Sequence, residues 1–275
     1  MRTYLDCIPC FFQQALDAAR LARADEETQR QILVALGREL LHFSLESTPP
    51  EMGQKIYSLI KERTGQDPFK EIKNRSNQYA FSLYPALKEG LMSAGDPLRV
   101  AVRLAIAGNV IDYAVSRRFE LKKEIEKVLE SEFGIFQYEE FKRSLRESKA
   151  ILYLADNAGE IVFDRLLIEE IQKKFEASIT VAVRGAPVIN DATLDAPRQV
   201  GLDKMCRMIS NGTDAPGILL DRCSTGFLNI YREADLVISK GQGNFESLWG
   251  EKNLFSFFLK NLFWCVVRYA GGREG

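Results

Sequence analysis

The sequence predicts an α/β protein: a parallel, Rossmann-like open sheet with helices on both faces, preceded by an all-α helical domain. Three observations carry this. From Phe11 to about Glu147 the chain reads almost wholly as amphipathic helix. After Ala150, short apolar and β-branched runs alternate with helical segments, the pattern of a parallel sheet. The loops after those runs are polar and glycine-rich, as the ligand-binding strand ends of open α/β sheets are. The switch in pattern sets the expected boundary between a helical domain, 1–147, and an α/β domain, 148–275.

The chain starts MRTYLDCIPCFFQQAL, without an apolar h-region or a small-residue cleavage site. Cys7 and Cys10 form a CxxC around Pro9. A structural zinc site wants four ligands, but Cys206, Cys223 and Cys265 are scattered and the only histidine is His42. A thioredoxin-like βαβ context is also missing. Two half-buried thiols at a helix start therefore stand against a second metal or redox site at Cys7 and Cys10. Five cysteines without a framework suit a reducing compartment. The late apolar run LFSFFLKNLFWCVVRYA is interrupted by Lys260, Asn261 and Arg268 and is short for a bilayer. The expected location is cytoplasmic.

QQALDAARLAR, EETQRQILVALGRELLHF and EMGQKIYSLIKERTG carry apolar residues every three or four positions. Thr48-Pro49-Pro50 and Gly65-Gln66-Asp67-Pro68 break the run. His42 reads as a packed core residue, and a single histidine excludes histidine triads and multi-histidine metal sites. Two later helical segments carry polar residues that periodicity does not ask for: Lys73, Asn74 and Asn77, then Gly108, Asn109 and Asp112. Gly and Asn cost about 0.5–1 kcal/mol each mid-helix relative to Ala. Either the helices pack closely around one satisfied network, or Asn109 and Asp112 line one wall of a ligand cleft.

In the second half the expected strands are AILYLA (Ala150 to Ala155), SITVAV (Ser178 to Val183), MCRMIS (Met205 to Ser210) and DLVISK (Asp235 to Lys240), with FSFFL near Phe255 as a fifth. The first is followed by Asp156-Asn157-Ala158-Gly159 and then by a helical pattern. A helix cap needs one residue, so an adjacent pair of oxygen-bearing side chains points to a ligand. The next loops bring Asn190-Asp191, then Asn211, Thr213 and Asp214, then Lys240 and GQGN. Four strand ends with polar loops make an active-site rim.

Asp156, Asn157 and Asp191 offer only oxygen, which suits Mg²⁺ or Mn²⁺ and disfavours zinc and copper. Lys240 with the GQGN backbone is a plausible phosphate cradle. Together they point to metal-assisted phosphoryl chemistry on a small phosphorylated metabolite. Against this stand a plain turn at Gly241 and Gly243, a solvated Lys240, and Asp191 as a helix cap. A net charge of -1 supplies no global field for nucleic acid or an anionic membrane, so neither is an expected partner. GxxxxGK(S/T), a GxGxxG after the first strand, and GxSxG are all missing.

LADNAGEIVFD, the NDAT after APVI, GTDAPG, ADLVISKGQGNFESL and the helical AGNVID and CIPC, in order from Cys7 to about Lys260, together resemble the damage-control phosphatase family. That family was first catalogued as domain of unknown function eighty-nine, and the CxxC is similar to its prokaryotic subgroup. The resemblance implies an all-α domain on an α/β domain and a phosphatase dependent on Mn²⁺, Mg²⁺, Co²⁺ or Ni²⁺. It implies sugar phosphates or damaged phosphometabolites as substrates. It makes Asp156, Asn157 and Asp191 the catalytic metal ligands and Gln242, Gly243, Asn244, Phe245 and Glu246 the phosphate-binding loop. Lys260 resembles a late substrate-contacting lysine, although the chain continues KNLFWC where the family has Lys-Cys and a glycine-rich strand. The nucleophile is either water or Asp156. The alternatives are an S-adenosylmethionine-dependent methyltransferase, whose glycine-rich loop should replace DNAG, and a sugar-phosphate or nucleotide binding protein without turnover.

Overall fold

Among the described residues five parallel strands form one sheet, and their order decides where a ligand can sit. The computed structural model describes residues 1–108, 129, 137–252 and 254–257. Its strands are β1 (Ala150–Leu154), β2 (Ser178–Val183), β3 (Arg207–Ser210), β4 (Leu236–Lys240) and β5 (Leu254–Phe257), in the order β3-β2-β1-β4-β5. β1 pairs with β2 from Ala150↔Ser178 to Leu154↔Ala182, and with β4 from Ile151↔Leu236 to Leu154↔Ser239. The chain winds from β1 to β3 on one side, then crosses back to place β4 on the other. The loops after β1 and β4 therefore diverge, and the crevice between them is the topological switch point where open α/β sheets bind ligands.

The weakest expected strand, near Phe255, is the edge strand β5. The third begins at Arg207 rather than Met205, because the amides of Met205 and Cys206 bond back to Leu202 O at 3.0 and 3.2 Å.

The helices are α1 (Cys7–Leu21), α2 (Glu26–Leu40), α3 (Pro49–Thr64), α4 (Lys70–Met92), α5 (Pro97–Ala107), α6 (Tyr138–Glu147), α7 (Ile161–Lys174), α8 (Asp195–Gln199), α9 (Thr225–Glu233) and α10 (Gln242–Ser247). The breaks read in the sequence are the ends of α3. Thr48 and Glu51 form a capping box, prolines open the first turn, and Gly65 closes the helix at φ +67°. Asp25 caps α2 by accepting from Thr28 N at 2.8 Å.

Alternation along the strands divides the sheet into two faces. Ile151, Tyr153, Val181, Val183 and Ile238 share one core with α4, α5, α6 and α7. Leu152, Leu154, Ala182 and Val237 pack on the other face with Phe227 of α9 and Ile218. Helices thus cover both faces, as predicted. α1, α2 and α3 have a core of their own, built on Phe11, Ala15, Ile32, Leu36, Ile56 and Ile60. The helical first half therefore serves two cores.

Val188, from the loop after β2, and Phe245, after β4, are buried in the α1–α3 core. Gly53 of α3 abuts Pro216, from the loop after β3: an added Cβ would stand 2.7 Å from its ring. The three-helix layer therefore lies across the carboxyl edge of the sheet. Among the described residues no helix is long and apolar enough to cross a membrane.

Candidate functional site

The site begins with two loops tied together by their backbones. Ala192 N donates to Asp156 O at 2.7 Å and Ala158 N to Asn190 O at 2.9 Å, so Asn157 and Asp191 form an isolated antiparallel bridge. This pairing sets Asp156 and Asn157, past the end of β1, beside Asp191, past the end of β2. It also holds Ile189 in the left-handed region at φ +41°. That conformation costs a β-branched residue on the order of 1–2 kcal/mol, and strain of this kind gathers at functional sites. None of the three residues caps a helix: α7 has Glu160 at its N-cap and α8 has Leu194.

Asp156 and Asp191 are buried, at 8% and 3% exposure. Arg184, the first residue past β2, lies between them. Its Nε donates to Asp191 Oδ2 at 2.5 Å and its Nη2 to Asp156 Oδ1 at 3.4 Å. Burial, then the neighbouring Asp191 and Glu160, holds the Asp156 carboxyl well above the usual range, with Arg184 and Lys240 opposing. Burial likewise raises Asp191, against the pull of Arg184. The pair calls for more positive charge than one guanidinium brings. Behind it Gly241, at φ +80°, presses its backbone against the Asp156 carboxylate.

Lys240 corrects the sequence-based expectation. Its ammonium does not reach the rim as a phosphate cradle; it is fully buried, donating to Glu160 Oε2 at 2.7 Å and Asp164 Oδ1 at 2.9 Å. The reason is strand alternation: Lys240 shares a face with Ile238, which packs on α7, where Glu160 and Asp164 stand one turn apart. Burial pulls the Lys240 pKa down, but Asp164 and Glu160 more than offset it and the net shift is upward. Tyr153 OH donates to Asp164 Oδ1 at 2.6 Å, and Asn157 Nδ2 donates to Glu160 Oε1 at 2.8 Å. Glu160, Asp164, Tyr153 and Arg184 are the residues here that the sequence reading does not single out. The available signal was a pair of carboxylates at i and i+4 inside the apolar EIVFD stretch, which no exposed helix face explains.

GQGN is not a flexible loop: Gln242–Ser247 is the short helix α10. Asn244 is buried, its Nδ2 donating to Lys240 O at 2.8 Å and Ala155 O at 3.4 Å, which clamps the ends of β1 and β4 together. Phe245 and Glu246 also turn inward, and Gln242 Nε2 donates to Glu246 Oε1 at 2.7 Å. Gly243 has no room for a side chain, since an added Cβ would lie 1.8 Å from Pro216 O. In the loop after β3, Asn211 Oδ1 accepts from Gly185 N and Thr213 N at 3.1 and 2.9 Å, and Asp214 accepts from Gln54 of α3 at 2.5 Å. These polar residues brace the rim.

From the helical side, Lys73 pairs with Asp67 at 2.7 Å, and its charge also acts on Asp191. Asn77 is buried, with Nδ2 on Gln199 and its Oδ1 unpartnered. Gly108 packs against Glu160 and Phe163, where an added Cβ would stand at 3.5 and 3.4 Å. Asn109, Asp112 and Lys260 lie outside the described residues. Neither Cys7 nor Cys10 is in a disulfide. Burial, then Cys7 and Glu246, pushes the Cys10 thiol up to about 11, which keeps it protonated and a weak nucleophile near neutrality.

A divalent ion fits the donor set. Asp156, Asn157 and Asp191 are hard oxygen donors, two of them carboxylates short of countercharge in a buried place. Among the described residues no three His, Cys, Asp or Glu side chains gather as a metal cluster. The set here is two carboxylates and a carboxamide, few enough to suit an ion that keeps water or substrate oxygens in its shell.

The chain is similar to known proteins over most of its length. Residues 3–268 match the damage-control phosphatase ARMT1-like domain. A damage-control phosphatase of Pyrococcus horikoshii is 33% identical, over 94% of this chain and 90% of its own length. A damage-control phosphatase of Archaeoglobus fulgidus is 33% identical, over 88% and 85%. The crystal structure of a DUF89 family protein from P. horikoshii superposes with a TM-score of 0.92 at 30% identity, over 100% of this chain and 97% of that one.

Proposed function

The chain belongs to the damage-control phosphatase ARMT1-like family, and from that premise we propose that it hydrolyses phosphate monoesters of small metabolites, sugar phosphates or damaged phosphometabolites. The ion it uses is Mn²⁺, Mg²⁺, Co²⁺ or Ni²⁺, held by Asp156, Asn157 and Asp191. The observation that carries this reading is the Asn157–Asp191 bridge, which gathers three oxygen donors at the switch point. Bound there, the ion neutralises phosphate charge and makes a nearby water more acidic.

The protein's own residues supply the rest. Asp156 and Asp191 face each other across Arg184, which carries their charge while they are unliganded and can turn to a phosphate oxygen when they are not. Asn244 Nδ2 and Glu246 Oε1 are engaged elsewhere and Phe245 N bonds to Gly241 O, so this segment meets phosphate through the amides of its first turn. On this reading Lys73 of α4, whose charge acts on Asp191, meets the substrate from the helical side. The α1–α3 layer over the sheet edge keeps bulk water from the reacting phosphate.

The test is phosphate release from p-nitrophenyl phosphate and a sugar-phosphate panel in each metal and in EDTA, with Asp191→Ala beside the natural protein. Metal-dependent release should fall by about 10²-fold or more in the variant while its circular dichroism is unchanged. Activity surviving in folded Asp191→Ala, or equal in EDTA, removes the reading. Ligand binding that ignores EDTA would favour a binding protein without turnover.

A further inference from the structure

The buried ion pair behind the site sets the orientation of Asn157. Lys240 Nζ, with no exposure, donates to Glu160 Oε2 at 2.7 Å, so that oxygen is committed to the ammonium. The other oxygen of Glu160, Oε1, accepts from Asn157 Nδ2 at 2.8 Å. A carboxamide that turns its nitrogen to Glu160 turns its oxygen away from it. The Lys240 ammonium is fixed in turn by Asp164 Oδ1, at 2.9 Å, and that oxygen is fixed by the Tyr153 hydroxyl at 2.6 Å. Every member is buried, so no water competes for these bonds.

We propose that Glu160 and Lys240 are positioning residues that lock the Asn157 carboxamide with its oxygen free for the divalent ion, and that they dictate asparagine rather than aspartate at position 157. An aspartate there would set one carboxylate against another in a dry place. This rests on the phosphatase reading for the ion, though not for the orientation. Glu160 touches Asn157 and Lys240 touches Glu160, so both act through the residue they orient. This arrangement also gives Lys240, whose ammonium is committed to Glu160 and Asp164, a purpose in the same chemistry.

The experiment is a cycle of Asn157→Asp, Glu160→Gln and the double variant Asn157→Asp/Glu160→Gln. The double variant keeps the net charge of the pair and reverses the hydrogen bond, amide donating from residue 160 and carboxylate accepting at 157. Thermal unfolding in EDTA, Mn²⁺ calorimetry and Mn²⁺-dependent phosphate release are measured on each. Glu160→Gln should weaken Mn²⁺ binding by about 10–100-fold with the fold intact. Asn157→Asp should unfold at lower temperature in EDTA and lose phosphate release. The double variant should recover several degrees, and activity by about ten-fold or more over Asn157→Asp.

Asn157→Asp as stable and active as the natural protein overturns the proposal, as does a double variant no better than the worse single one. Should Asn157→Asp fail to fold, a folded double variant is itself the rescue, and an unfolded one counts against. If the natural protein releases no phosphate with Mn²⁺, the phosphatase reading falls. The unfolding cycle in EDTA needs no ion and still decides whether Glu160 orients Asn157.

Discussion

Gly241 and Asp156 exclude any side chain between them: a Cβ at Gly241 would stand 1.9 Å from Asp156 Oδ2. The carboxylate at the end of β1 thus rests on the backbone just past β4, and only glycine at φ +80° lets it. Gly241→Ala must therefore either move Asp156 or distort the turn. Metal-dependent phosphate release should drop by about 10²-fold or more, since a displacement near 1 Å has that effect on a reacting geometry. Circular dichroism should show a folded protein. Near-normal activity in this variant would mean that the Asp156 position is not needed.

Arg184 is the cation that Asp191 and Asp156 share, at 2.5 and 3.4 Å. Arg184→Ala removes the cation paired directly with two buried carboxylates, which costs about 3–5 kcal/mol where one partner of a buried pair is removed. Mn²⁺ should then stabilise the variant more than the natural protein, because the ion replaces the lost charge. Scanning calorimetry with Mn²⁺ and with EDTA reads this directly. An identical Mn²⁺ shift in both proteins would separate Arg184 from the ion.

Burial pushes the Glu246 carboxyl up from 4.5 to about 7, with Cys7 adding to it and Gln242 opposing. The folded protein holds a proton here that the unfolded chain releases. This contribution to stability is present below pH 4.5 and is lost as pH rises through about 7. The slope between those limits is at most about 1.4 kcal/mol per pH unit. Glu246→Gln should flatten that part of the curve and gain its stability at pH 8, measured by urea unfolding from pH 4 to 8. Parallel curves for the two proteins would place the carboxyl in water.

Phe141 of α6 meets Phe255 and Phe257 of β5 edge-on, with ring centroids 5.4 and 5.1 Å apart. These contacts hold the edge strand to the helical layer. Phe141→Ala should cost about 3–5 kcal/mol in urea unfolding and speed hydrogen exchange in β5. A loss under about 1 kcal/mol would show that β5 is held by its ladder alone.

Much of this was legible because it is local. AILYLA and SITVAV announce buried parallel strands by composition, and Thr48, Pro49, Pro50 and Gly65 mark α3 by capping chemistry. The adjacent oxygen donors of Asp156 and Asn157 stood out because a helix start needs only one. The place of Asp191 beside them was not legible from spacing: it depends on a bridge between two loops 34 positions apart in the chain. Chemistry at the strand ends grouped the three as oxygen donors, and the resemblance to a family assigned them as metal ligands.

The alternation of strand and helix, the chemical hardness of the donors and the lack of a histidine pair to compete with them are all written in the residues. Tertiary structure alone decided which polar residues meet a ligand and which serve each other. Lys240 shows why. A strand buried on both faces carries apolar residues throughout, so its pattern does not say which side the last residue takes. Strand order and register put that side against Glu160 and Asp164, and a residue that reads as a phosphate-binding cation at the rim becomes the buried partner of Glu160.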